Sequence, residues 1–304
     1  MIKQAIESLF EKFFNKQVKS QIELLTLYVA AVGFILHLLA VFLYDYGVFT
    51  VNVEIQDLLS NPIAAVYTPF SFILFYEVYL LIYYLPQSFS IAIAKQYEIV
   101  SIILIRRIFK DIANLDISNY DLLSYKNLNL LYDISGFLIL FFLIFIFRYL
   151  LVNKKNHTVT PNIEGFILYK KILCVALVPF FLGLSAYSFI DWLIEMNQFS
   201  VGLISSVKDF NNIFYYEFFV ALIVIDVLIL VASFRYTDRY SLLIRNTGFV
   251  ISTVLIRLSF QTDGLGNIIL LISGVLFGVI VLYLYSLYDK IDKGDSTKES
   301  YAYL

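Results

Sequence analysis

Five stretches of this chain are almost continuously apolar over about 20 residues or more: 24–43, 63–85, 128–152, 213–234 and 268–287. A helix rises 1.5 Å per residue, so roughly 20 residues match the ~30 Å hydrocarbon core of a bilayer. Buried helices of a soluble domain rarely need that length. Composition points the same way. Hydrophobic residues make up 60% of the chain and charged residues only 15%, with a mean hydropathy of +0.80. Soluble domains average roughly 45–50% apolar and about 25% charged. Many tyrosines, among them Tyr44, Tyr67, Tyr149, Tyr236 and Tyr288, sit near segment ends, as in an interfacial aromatic belt. The abundance of Phe, Tyr, Ile, Asn and Lys also fits AT-rich coding and hints at a bacterial source.

The expected fold is all-α: a polytopic integral membrane protein of about eight transmembrane helices, at 21–44, 63–85, 88–110, 129–152, 166–194, 213–234, 241–260 and 266–288. The third segment carries Lys95, Glu98, Arg106 and Arg107, so its hydropathy is poor. Loop charge argues for keeping it as a span. With eight spans and a cytoplasmic N-terminus, 16 of the 22 basic residues fall on the cytoplasmic side. The outer loops hold only Lys110, Lys126 and Lys208, with Arg106, Arg107 and Arg257 near the outer ends of their spans. This bias follows the positive-inside rule and places both termini in the cytoplasm, in a membrane expected to be the bacterial inner membrane.

Residues 1–20 mix Lys with Glu and show no small-residue cleavage site, so they do not read as a signal peptide. Ile2, Ile6, Leu9, Phe10 and Phe13 share one helical face, the pattern of an amphipathic helix on the membrane surface. A first membrane unit then covers 21–152, a cytoplasmic linker 153–165, and a second membrane unit 166–288. Residues 289–304 read as a flexible cytoplasmic tail.

The two units resemble each other. Residues 98–109 (EIVSIILIRRIF) and 249–260 (FVISTVLIRLSF) align at an offset of 151, with Ser101/Ser252, Leu104/Leu255, Ile105/Ile256, Arg106/Arg257 and Phe109/Phe260 identical. Glu77-Val78 likewise matches Asp226-Val227 at an offset of 149. Charges are rare in spans, so the acid and arginine matches weigh most. They suggest two four-helix repeats entering the membrane in the same direction and related by a pseudo-two-fold axis along the membrane normal.

Other signals mostly exclude. A formal net charge of −2 gives no footprint for nucleic acid. The one cysteine, Cys174, rules out an intrachain disulfide, and His37 and His157 form no metal-ligand spacing. No phosphate-binding loop, nucleophile elbow or dinucleotide fingerprint occurs, so an enzyme is disfavoured and neither cofactor nor metal is expected.

What remains is charge inside the spans. Glu77 and Asp226 lie near the midplane, where a carboxylate needs a role: proton binding, cation coordination or a structural ion pair. Arg106, Arg107 and Arg257 are candidate gate or counter-charge residues, and Glu217 is a candidate partner for Arg257. On the seventh span Arg245, Ser252 and Ser259, with Thr253 alongside, form a polar stripe at seven-residue spacing, about two turns. Gly274 and Gly278 form a small-xxx-small pattern for close helix packing. Pro69 and Pro179 are candidate kinks.

The leading expectation is a transport protein, channel-like or carrier-like, passing protons or a small ion between the two halves. The alternative is a non-transporting scaffold or sensor subunit that docks partners through its cytoplasmic face. An intramembrane enzyme acting on lipid comes third. Expected partners are the lipid bilayer and a proton or small ion, with a homo-oligomer or membrane-complex subunit as a further option.

Overall fold

A computed structural model describes residues 2–48, 59, 62–113, 125–152, 163–200, 210–236, 239–262 and 264–302. Most of the 153–165 linker, including Lys154, Lys155 and His157, lies outside these residues, as does Lys208. The described residues are helical throughout, with no strand among them. The helices are α1 (Ile2–Phe14), α2 (Lys16–Asp45), α3 (Tyr67–Tyr84), α4 (Phe89–Ala113), α5 (Tyr125–Val152), α6 (Ile163–Ser200), α7 (Phe210–Tyr236), α8 (Tyr240–Ser259) and α9 (Gly264–Ala302), with a 3-10 turn at Pro62–Val66.

Six helical stretches are long and apolar enough to cross a membrane. They belong to α2, continuous in this count with α1, and to α5, α6, α7, α8 and α9. This is the construction of a multi-pass helical membrane protein. Two of the eight expected segments fall short for different reasons. The apolar helix at α3 covers only Thr68–Tyr84, about 26 Å at 1.5 Å per residue. α4 has 25 residues but carries too many charges.

Those charges on α4 are met laterally. Glu98 receives Lys95 Nζ at 2.8 Å from its own helix and Arg148 Nε at 2.6 Å from α5. Arg107 grips the buried Asp133 of α5 in a bidentate pair. Three of the charged residues on α4, Lys95, Glu98 and Arg107, are thereby paired within the helix or with α5.

Each helix of the first half packs on its successor, α2 on α3, α3 on α4 and α4 on α5. The second half repeats this with α6 on α7, α7 on α8 and α8 on α9. Across the halves α4 meets α8 and α5 meets α9, with a slighter contact of α3 with α6. The apolar cores do not follow the halves. One gathers Leu74 and Leu81 of α3 with Cys174 and Phe181 of α6 and Phe218 and Leu222 of α7. The other gathers Tyr97, Leu140, Phe147, Phe249, Leu271 and Leu282 from α4, α5, α8 and α9. Each core is therefore built from both halves.

α1 does not lie free on a surface. Phe14 is buried in the first core and stacks on Tyr79 of α3 at 5.8 Å, and the Tyr79 hydroxyl donates to the Phe13 carbonyl at 3.0 Å. Leu9 and Phe13 remain exposed, so the apolar face is shared between bundle and surroundings. Asn15 breaks the chain into two helices by capping α2, its Oδ1 accepting from Val18 N at 2.7 Å. At the other end, α9 continues to Ala302 where the sequence suggests a flexible tail. Alternating Asp and Lys at 289–293 suit a helix surface.

Pro69 is the third residue of α3, where its missing N–H costs no hydrogen bond, so it starts the helix and does not kink it. Pro179 stands well inside α6. Gly274 and Gly278 let α9 approach α8 and α4. A Cβ at Gly274 would lie 3.1 Å from the Ser252 carbonyl, and one at Gly278 would overlap the Tyr97 hydroxyl. Gly278→Ala should therefore cost about 1–3 kcal/mol by overpacking. Tyr97→Phe should cost about 1 kcal/mol through its lost hydrogen bond. The double variant should cost less than the sum, because it removes the overlapping oxygen. Thermal unfolding of the four proteins in detergent measures this, and strict additivity would refute the contact.

Candidate functional site

The charges singled out in the sequence fall into two acid–arginine placements, each spanning consecutive helices. In the second half, Asp226 on α7 faces Arg257 on α8. Arg257 Nη1 stands 2.7 Å from Asp226 Oδ2, and both residues are nearly sealed, at 4% and 6% exposure. The Thr253 hydroxyl, one turn before Arg257, donates to the same carboxylate oxygen at 2.8 Å. The i, i+4 spacing of Thr253 and Arg257 puts both on one face of α8, where one supplies a hydrogen bond and the other a counter-charge to the same oxygen.

In the first half, the acid is Glu77 on α3, and Arg106 on α4 is the cation whose field reaches it. The geometry differs. Glu77 is 2% exposed, and neither carboxylate oxygen has a hydrogen-bond partner among the described residues. Arg106 is itself buried, at 7% exposure. A buried polar group without a partner is costly, so its retention calls for a reason.

Arg257 and Thr253 also border a small cavity of about 20 Å³. Its walls come from Leu81 of α3, Gln96 and Val100 of α4, Phe219 of α7, and Thr253 and Arg257 of α8. The cavity therefore sits on the seam between the halves, with Arg257 and Thr253 on one side and buried Gln96 on the other. Its volume is about that of one water molecule, and its walls are mainly apolar.

The stripe on α8 also turns inward. Ser252 donates to the Gly274 carbonyl of α9 at 2.6 Å and lies 2.6 Å from the Tyr97 hydroxyl of α4. Ser259 donates to the Ile256 carbonyl of its own helix at 2.6 Å. Arg245 hydrogen-bonds Asn246 Oδ1 at 2.9 Å and stacks on the Tyr285 ring at 4.7 Å. Glu217 is exposed, and Arg257 meets Asp226 in its stead. Arg107 belongs with Asp133 and takes no part in the Glu77 placement.

Sequence reasoning passed over Gln96, Tyr97, Asp133 and Lys170. Lys170, in the second turn of α6, is 2% exposed. Its Nζ donates to the Gln87 carbonyl in the α3–α4 turn at 2.8 Å and rests on the Phe89 and Phe166 rings at 4.6 and 4.8 Å. It joins the two halves at one membrane face. Its sequence signal was only that of a basic residue in a loop-proximal pair. Among the described residues no group of three or more His, Cys, Asp or Glu side chains is placed to hold a metal ion. No protein-family model, curated protein or solved structure matches the chain.

Proposed function

We propose that this chain is a membrane transport protein that passes protons or a small ion along the seam between two four-helix halves, with Glu77 as the group that takes up the ion or proton. The observation that carries the reading is Glu77, a sealed carboxyl whose oxygens have no hydrogen-bond partner among the described residues, within the field of the buried Arg106. A structural ion pair would look like Asp226 with Arg257, which stands in the same molecule as the comparison. The small cavity on the seam has mainly apolar walls, with Arg257, Thr253 and Gln96 among its lining residues, and it is where this reading places a single water on the path.

The two-fold repeat belongs to the same proposal. Acid and arginine recur on consecutive helices, and the helix-to-helix packing order of the first half recurs in the second. The main contacts across the seam, α4 with α8 and α5 with α9, join like with like, an arrangement a pseudo-two-fold axis allows. On this reading α3 and α4 are spans in spite of their length and charge, both termini are cytoplasmic, and the membrane is the bacterial inner membrane. Single cysteines at 50 and 205 should then label from outside intact cells, and those at 157 and 238 should not. Outside labelling at 157 would take α4 out of the membrane count and overturn the topology.

A second reading has its own support. The cavity on the seam is only of one water's size, and Asp226 is closed off by Arg257. A scaffold or sensor subunit needs nothing more. Reconstituted vesicles separate the two: transport predicts that an imposed proton or cation gradient decays faster than in empty vesicles, and a scaffold predicts equal decay.

A further inference from the structure

We infer that the cleft where α2 begins and the α3–α4 turn closes binds the phosphodiester headgroup of an anionic phospholipid. The cleft measures about 380 Å³ and is lined by Lys16, Lys19 and Ser20 of α2 and by Tyr83, Tyr84 and Gln87. That volume lies within the ~300–1,000 Å³ of small-molecule sites. Lys19 is held in place by its walls. Its Nζ donates to the Tyr84 hydroxyl at 3.0 Å and stands 5.6 and 5.4 Å from the Tyr83 and Tyr84 ring centres. An ammonium has three donors, so two of them stay available to a phosphate. Lys16, one turn earlier, adds a second ammonium over the same opening.

The acid in the cleft is Glu23, which already accepts from the Tyr76 hydroxyl at 2.8 Å. Two ammonium groups against one carboxylate leave the cleft positive. Lys95 approaches Tyr84 from its other side, at 5.5 Å from the ring, but is paired with Glu98. The positive end of a 30-residue helix, the start of α2, lies at the same place.

What favours a lipid over a free anion is the continuation of α2. Directly beyond the lysines it turns outward Leu24, Leu27 and Tyr28, the last 74% exposed. A lipid whose phosphate sits in the cleft lays its acyl chains along that face. Helix-end lysines reaching for phosphate while their stems follow apolar surface are a regular feature of membrane boundaries.

The test uses the full-length protein reconstituted in phosphatidylcholine vesicles with added phosphatidylglycerol, then extracted and examined by native mass spectrometry. Wild type should retain phosphatidylglycerol in preference to phosphatidylcholine. Lys16→Gln and Lys19→Gln should each lower retention about fivefold, the worth of one lysine at an anionic surface. Lys12→Gln, on α1 outside the cleft, should leave retention unchanged. Tyr84→Phe, which frees Lys19 but keeps its charge, should give a smaller loss than Lys19→Gln. Retention falling equally with Lys12→Gln would reduce the effect to diffuse surface charge and overturn the site. Displacement by inorganic phosphate would make it a free-anion site and overturn the lipid assignment. Should Lys19→Gln fail to fold, the wild-type preference between the two lipids and its resistance to phosphate decide the matter.

Discussion

Arg257→Gln should lower the unfolding free energy by about 3–5 kcal/mol, the usual cost of removing one partner from a buried ion pair. The guanidinium and Asp226 are almost wholly sealed, and their contact at 2.7 Å is backed only by the Thr253 hydroxyl. Without Arg257 the carboxylate keeps one neutral donor in an apolar seam walled by Leu81, Val100, Ile103 and Phe260. Asp226→Asn alone should be costly for the converse reason, since it strands the guanidinium. Asp226→Asn with Arg257→Gln should recover most of the loss, because two amides of similar size can hydrogen-bond each other without net charge. Glu217→Gln, at an exposed position, should change stability by no more than about 0.5 kcal/mol. The fraction remaining monodisperse after heating in detergent ranks these proteins. An Arg257→Gln protein as stable as wild type would show that the pair does not hold α7 to α8.

The class of fold was legible because it depends on one quantity, apolar length, which survives any detail of packing. The six helices that satisfy it in the structure are all among the eight segments expected. The central helices were harder to read for a physical reason. α4 is charged because its neighbours supply counter-charges: Arg148 for Glu98 and Asp133 for Arg107. Hydropathy sees the charge and cannot see the partner on another helix. Pro69 misled in the opposite way, since its effect depends on where α3 starts. The acid and arginine matches are what suggest a correspondence between helices. They could not show that Asp226 is clasped while Glu77 is not, because that difference is a matter of side-chain reach across a seam. Gln96 and Tyr97 gave no signal at all. Polar residues of ordinary type, they acquire their places only when α4 meets α8 and α9.

Glu77→Gln should abolish flux while leaving the protein folded, and it should differ in this from Asp226→Asn. The contrast follows from geometry. Glu77 gives up no protein hydrogen bond on becoming an amide, since its oxygens have none among the described residues. It also sheds the desolvation cost of any charged form, so stability should hold or rise. What is lost is the ability to exchange a proton or to offer a carboxylate to a cation. A Glu77 that served only as a counter-charge for Arg106 would behave otherwise, and its glutamine variant would be destabilised as Asp226→Asn is. The stability of the two variants therefore asks whether the acids are alike in role or only in position. The central claim is tested most directly by the decay of an imposed proton or cation gradient across vesicles carrying equal amounts of folded wild-type or Glu77→Gln protein. The account predicts rapid decay with wild type and the empty-vesicle rate with Glu77→Gln; equal decay in both proteins, or none above empty vesicles in either, would contradict it.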